Sequence, residues 1–133
     1  MRYVAMVHKD EDTGYGVSFP DFPGCIAAGD TLTEALVDAA NALAFHVTGM
    51  REDEEPIPTP RELDAIVADP ELAEDREGAF LTLVPLIEDR GVSKRVNISL
   101  DPGLLEAIDE AAKDRGMTRS NFLASAARQV LAG

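Results

Sequence analysis

No stretch of this 133-residue chain approaches the about 18 to 20 consecutive apolar residues that a membrane helix needs. The opening Met1 to Asp12 also lacks the apolar core of a signal peptide, so a cytoplasmic protein with no membrane partner is expected. Cysteine is nearly missing. Cys25 stands alone, and neither it nor the separated His8 and His46 supplies the clustered ligands of a structural zinc site, so disulfide and zinc stapling are both excluded. Tryptophan is absent and aromatic residues make up 5% of the chain, too few for a platform on which single-stranded nucleic acid stacks. Basic residues are scarce as well, 12 against 25 acids.

The 45% hydrophobic content is that of a globular protein, and the charge is split unevenly along it. Residues 1 to 92 hold 20 Asp and Glu against 6 Lys and Arg, a balance of −14, whereas residues 93 to 133 hold 5 against 6, or +1. A net charge of −13 opposes casual binding of nucleic acid. A short basic element at one end can still bind it, because screening confines the repulsion to about 10 Å. Two modules are expected, 1–92 and 93–133.

In the first module, Arg2 to His8 and Tyr15 to Phe19 suit two strands joined by the polar turn Lys9 to Gly14. Pro20, Pro23 and Gly24 break the chain before a short strand at Cys25 to Ala28. Thr31 and Glu34 have capping-box spacing, and Leu32, Leu36, Ala39, Leu43 and Val47 form one apolar helical stripe behind them. The acids and prolines from Gly49 to Pro60 read as an extended connection, Thr59 to Ala68 as a short helix, and Gly78 to Leu86 as another strand. The fold class is α+β: a small antiparallel sheet with a packed helix, followed by a second module of one strand and two helices.

That second module is the more regular. Lys94 to Leu100 alternates strictly, with Val96, Ile98 and Leu100 on one face and Arg95, Asn97 and Ser99 on the other. Asp101 and Pro102 begin a helix whose inner face is Leu104, Leu105, Ile108, Ala111 and Ala112; Arg115-Gly116 ends it. Thr118 caps another, carrying Phe122, Leu123, Ala126, Ala127, Val130 and Leu131 inward. About 40 residues without metal or disulfide is too few to fold alone. Pairing the strand with its copy from a second chain resolves this, with Val96, Ile98 and Leu100 as the core of a homodimer that can assemble further in even numbers.

The two-stranded ribbon so formed fits the DNA major groove. Arg95, Asn97 and Ser99 would then meet base edges, while Lys94 and the helix start at Thr118, Arg119 and Ser120 would hold phosphate. The alternative is a plain dimerisation ribbon whose outer face is merely solvated.

Residues 93 to 133 resemble the ribbon-helix-helix family of repressors, with Lys94 to Leu100 as ribbon and Gly116 to Ser120 as the turn between helices. The first module resembles the HicB antitoxin domain through Phe19-Pro20-Asp21-Phe22-Pro23-Gly24-Cys25, the run Gly29 to Leu36, and Ile57-Pro58-Thr59-Pro60. The resemblance implies a partial ribonuclease-H-like domain. It also implies an antitoxin that silences a small basic HicA-type, mRNA-cleaving toxin and represses their operon by binding operator DNA. Asp69 to Glu77 matches nothing distinctive.

Two other functions compete. Ribonuclease-H-like nucleases hold two metals on convergent carboxylates. The module offers Asp10, Glu11, Asp12, Asp21, Asp30 and Asp38, but the first three crowd the hairpin turn, Asp21 is in the Pro-rich turn and Asp30 precedes the helix cap, so a solvated acidic surface explains them. Cys25 has no neighbour in sequence that activates it, and its apolar setting favours a buried thiol. The second rival is a stand-alone repressor whose first domain senses a small ligand. With no phosphate loop or cofactor motif legible, no catalytic residue, cofactor or metal is expected.

Overall fold

The computed structural model describes residues 1–12, 14–89, 91 and 93–132. They form two compact units, one built on Met1–Asp89 and the other on Arg90–Leu131. The expected boundary after Val92 falls outside the described residues.

The first unit is a four-stranded antiparallel sheet in the order β3-β2-β1-β4. Its strands are β1 (Arg2–Asp10), β2 (Gly14–Ser18), β3 (Ile26–Gly29) and β4 (Phe80–Pro85). β1 lies inside the sheet because Tyr3 to Val7 are apolar on both faces, and all five are buried. Tyr3, Ala5 and Val7 meet α1 (Leu32–Glu52), whose buried Leu36, Ala39, Leu43 and Val47 belong to the expected stripe; Ala35 joins them, and Leu32 is only partly buried. Each fully buried Leu or Val contributes about 1.5–3 kcal/mol relative to exposure. Val4 and Met6, pointing the other way, pack on Ile66 of α2 (Leu63–Ala68).

Thr31 caps α1, its hydroxyl accepting from the Glu34 amide at 3.1 Å. The helix start then lies so close to β3 that a Cβ on Gly29 would stand 2.4 Å from the Ala35 nitrogen. Gly29→Ala is therefore expected to cost about 1–3 kcal/mol, read as a lower urea midpoint with an unchanged slope.

Several expected boundaries move. α1 does not give way to an extended connection at Gly49 but runs on to Glu52, where Met50 packs on the core and Arg51 pairs with Glu88 at 2.5 Å. It ends with the Glu55 amide on the Met50 carbonyl and the Glu54 amide on Arg51, a closure that puts Glu54 at φ 57°. Glutamate is an unusual residue there, so no Gly or Asn in the sequence marks the stop.

The helix expected from Thr59 begins only at Leu63. The Tyr3 hydroxyl donates to the Pro58 carbonyl at 2.6 Å and Arg61 is tied to Asp21, which hold the preceding segment extended. Asp69 to Glu77 contains a 3-10 turn, Pro70–Leu72, and the short α3 (Ala73–Arg76). Cys25 precedes β3 rather than opening it, because its amide closes a turn onto the Phe22 carbonyl at 3.0 Å. In the second unit α4 (Pro102–Asp114) and α5 (Arg119–Ala132) occupy the expected ranges.

Candidate functional site

The second unit is built from its caps outward. Asp101 accepts from the Leu104 amide at 3.1 Å with Pro102 at the first helical position, so α4 starts on the residues that the cap rule names. It ends at Gly116, whose φ of +65° lets the Met117 amide reach the Ala112 carbonyl at 2.8 Å. The Thr118 hydroxyl then accepts from the Asn121 amide at 3.1 Å and opens α5. Ile108 and Ala112 are buried, and Arg115 lies 5.7 Å over the Phe122 ring.

Ahead of α4, residues 93 to 100 form no strand ladder in the single chain. Lys94, Arg95, Asn97 and Ser99 are exposed, and so are two of the three expected dimer-core residues, Val96 at 76% and Ile98 at 62%; Leu100 is half-buried. Leu104 of α4 and Val130 and Leu131 of α5 are exposed as well. Single aliphatic side chains on a surface are ordinary, and what distinguishes Val96 and Ile98 is that they belong to a strictly alternating run.

The expected phosphate-binding group is only partly free. Arg119 grips Asp109 of α4 through two hydrogen bonds of 2.8 Å each, which hold the Asp109 carboxyl below its usual range. The Thr118 hydroxyl is engaged in its cap, leaving Lys94, Ser120 and the first amides of α5 exposed. The Arg119–Asp109 pair joins two helices, and no spacing rule within either one reveals it.

In the first unit the candidate catalytic groups serve structure. Burial alone pushes the Cys25 thiol up to about 11, so it is protonated and poorly nucleophilic at neutral pH. A chromogenic disulfide reagent is accordingly expected to label Cys25 only after denaturation; rapid labelling of the native protein would contradict its burial. His8 Nε2 lies 2.9 Å from the Asp75 carbonyl oxygen, and His46 packs edge-on to Phe22.

One carboxylate expected to be solvated is not. Asp21, with 5% of its side chain exposed, accepts from the Arg61 Nε at 2.6 Å and from the Arg61 amide at 3.1 Å. A further bond at 3.1 Å joins Arg61 to Asp69, and these hydrogen bonds, led by that to Asp21, raise the guanidinium pKa. Asp38 accepts from the Ala28 amide at 3.1 Å and so satisfies part of the edge of β3. Among the described residues no group of three or more His, Cys, Asp or Glu side chains converges as a metal site requires.

The model of a family described as HicB-like antitoxin of bacterial toxin-antitoxin system matches residues 3–127, nearly the whole chain. The chain belongs to the HicB-like antitoxin family. The chain is 37% identical, over 98% of both proteins, to an uncharacterised 14.9 kDa protein of Haemophilus phage HP1 encoded in the rep-hol intergenic region. Among solved structures, the HicB antitoxin of Burkholderia pseudomallei is 35% identical, with 98% of each chain covered and a TM-score of 0.57. A chain of the HicA3 and HicB3 toxin-antitoxin complex is 31% identical over 65% of this chain and 99% of its own, with a TM-score of 0.54. The α+β architecture, a small antiparallel sheet with helices, is thus that of a HicB-like antitoxin. It is not an enzyme, as the family places it among the antitoxins. No helix among the described residues is long and apolar enough to cross a membrane.

Proposed function

We propose that this HicB-like antitoxin neutralises a small basic HicA-type toxin through residues 1–92 and represses its own operon through residues 93–133. In this reading the first unit is a partial ribonuclease-H-like domain that has kept the sheet and not the metal-binding carboxylates. The second is a ribbon-helix-helix domain, complete only as a homodimer. The observation that carries the reading is the family match over 3–127, which takes in both units. The HicA3 and HicB3 complex supports the partner, since its antitoxin chain aligns with 65% of this one. The charge split agrees: a module at −14 attracts a basic protein, and one at +1 tolerates DNA.

The exposed alternation from Lys94 to Leu100 supports the DNA-binding half, because pairing two copies buries Val96, Ile98 and Leu100 and presents Arg95, Asn97 and Ser99 to a groove. Lys94, Ser120 and the α5 start remain suited to phosphate, whereas Arg119 must leave Asp109 or carry it along to do so. Operator DNA and toxin are the two partners. The full chain, tagged and co-expressed with a small basic HicA-type toxin, is expected to retain that protein through purification and to suppress its RNA cleavage. If the basic protein elutes separately and cleaves RNA unchecked, the antitoxin reading fails in favour of a stand-alone repressor.

A further inference from the structure

The two faces of the sheet differ. α1 packs on the first, against β3, β2 and β4, with Tyr3, Ala5 and Val7 of β1 in the same buried cluster. On the second, α2 and the turn at Leu72 pack over Val4 and Met6 of β1. The β2–β3 half of that second face carries Gly16, Ser18, Ile26 and Ala28, as fixed by the registers Ser18↔Ile26 and Gly16↔Ala28. This half is open: Ile26 is 73% exposed, Ala28 is exposed, and a Cβ on Gly16 would meet nothing within 4 Å among the described residues. Next to it is a cleft of about 300 Å³ whose lining includes Met6, Ser18, Pro20, Ile26, Leu72 and Asp75.

The border of this open half is acidic. The alternation that turns Met6 and His8 to this face brings Asp10 with them. Asp75, in the segment Pro70–Arg76, lines the cleft. Lys9 belongs to the opposite face, with its ammonium 5.3 Å from the centre of the Tyr15 ring, and Arg61 is held by Asp21 and Asp69. Small side chains admit close approach, Ile26 offers apolar contact, and the carboxylates select a cation. An acidic border repels nucleic acid, anionic lipid and a second copy of this chain, which itself carries −13. Phe45, 83% exposed on α1, is the rival surface, but it lies outside the cleft lining and has exposed polar neighbours at Asn41 and Thr48.

We propose that the open β2–β3 half of the sheet and its cleft form the docking surface for a basic protein, which inserts an arginine or lysine side chain beside Asp75. The proposal rests on the antitoxin reading above, with the basic toxin as the occupant.

The test titrates the full-length chain with the same HicA-type toxin, starting with the unmodified protein. Ile26→Arg and Gly16→Arg are each expected to weaken binding by about 100-fold, the scale on which disruption at the centre of an interface acts. Asp75→Asn should weaken it and flatten its salt dependence. Phe45→Arg should stay within about threefold of the unmodified chain. Thermal melts followed by circular dichroism check folding. If Gly16→Arg melts early, Ile26→Arg, at a site already in solvent, carries the comparison with Asp75→Asn. Unaltered binding by Ile26→Arg and Asp75→Asn, or loss of binding only in Phe45→Arg, overturns the docking surface while leaving the antitoxin reading intact. An unmodified chain that does not bind the toxin overturns both.

Discussion

Ile98→Asp is expected to convert the full-length protein from a dimer to a monomer and to abolish operator binding. In a single chain Ile98 is 62% exposed, so the new carboxylate there is solvated and harmless to the first unit. In the paired ribbon twofold symmetry brings in two such groups, and burying an unpaired ion costs several kcal/mol even after relaxation. That is comparable to the whole stability of a small domain. Sedimentation velocity of the unmodified and substituted chains checks it. A substituted chain that remains dimeric would mean that the alternating segment is not the interface, however well its pattern fits one. Toxin binding by the same variant separates the two units, since the sheet of the first is untouched.

Arg95→Ala and Asn97→Ala are expected to act on sequence preference rather than on affinity in general. Both side chains are exposed on the polar side of the alternation, where a bidentate contact to guanine or adenine discriminates by about 1–3 kcal/mol per base pair. In the proposed homodimer every substitution is present twice, so discrimination at each half-site is expected to fall together. Lys94→Ala, on the phosphate side, should instead weaken operator and scrambled duplexes alike and reduce the salt slope by about 0.9 for each phosphate that is no longer neutralised. Titrations on both duplexes at several salt concentrations distinguish these effects. An unchanged preference after removal of both Arg95 and Asn97 would leave a ribbon that dimerises without reading bases.

The parts of the molecule legible in the sequence are those governed by short spacing. The caps at Thr31, Asp101 and Thr118 and the stripe from Leu36 to Val47 each depend on residues within a few positions of one another. The period of the stripe, about 3.6, is a property of one helix. The charge division at the end of the first unit is likewise a matter of counting.

What the tertiary structure alone decided are pairings between residues far apart in the chain. Arg61 finds Asp21 forty positions away and Arg51 finds Glu88 across thirty-seven, contacts that hold one segment extended and accompany a longer α1. Arg119 finds Asp109 on another helix, a pairing that no spacing within either helix reveals. The openness of Gly16 and Ile26 depends on how far the segment from α2 to α3 reaches across the sheet, and that follows from which side chains fill the space beneath it. Local spacing sets which face of an element is apolar, because backbone geometry repeats along the chain. Which faces and charges then meet is set by packing, whose partners no repeat in the sequence encodes.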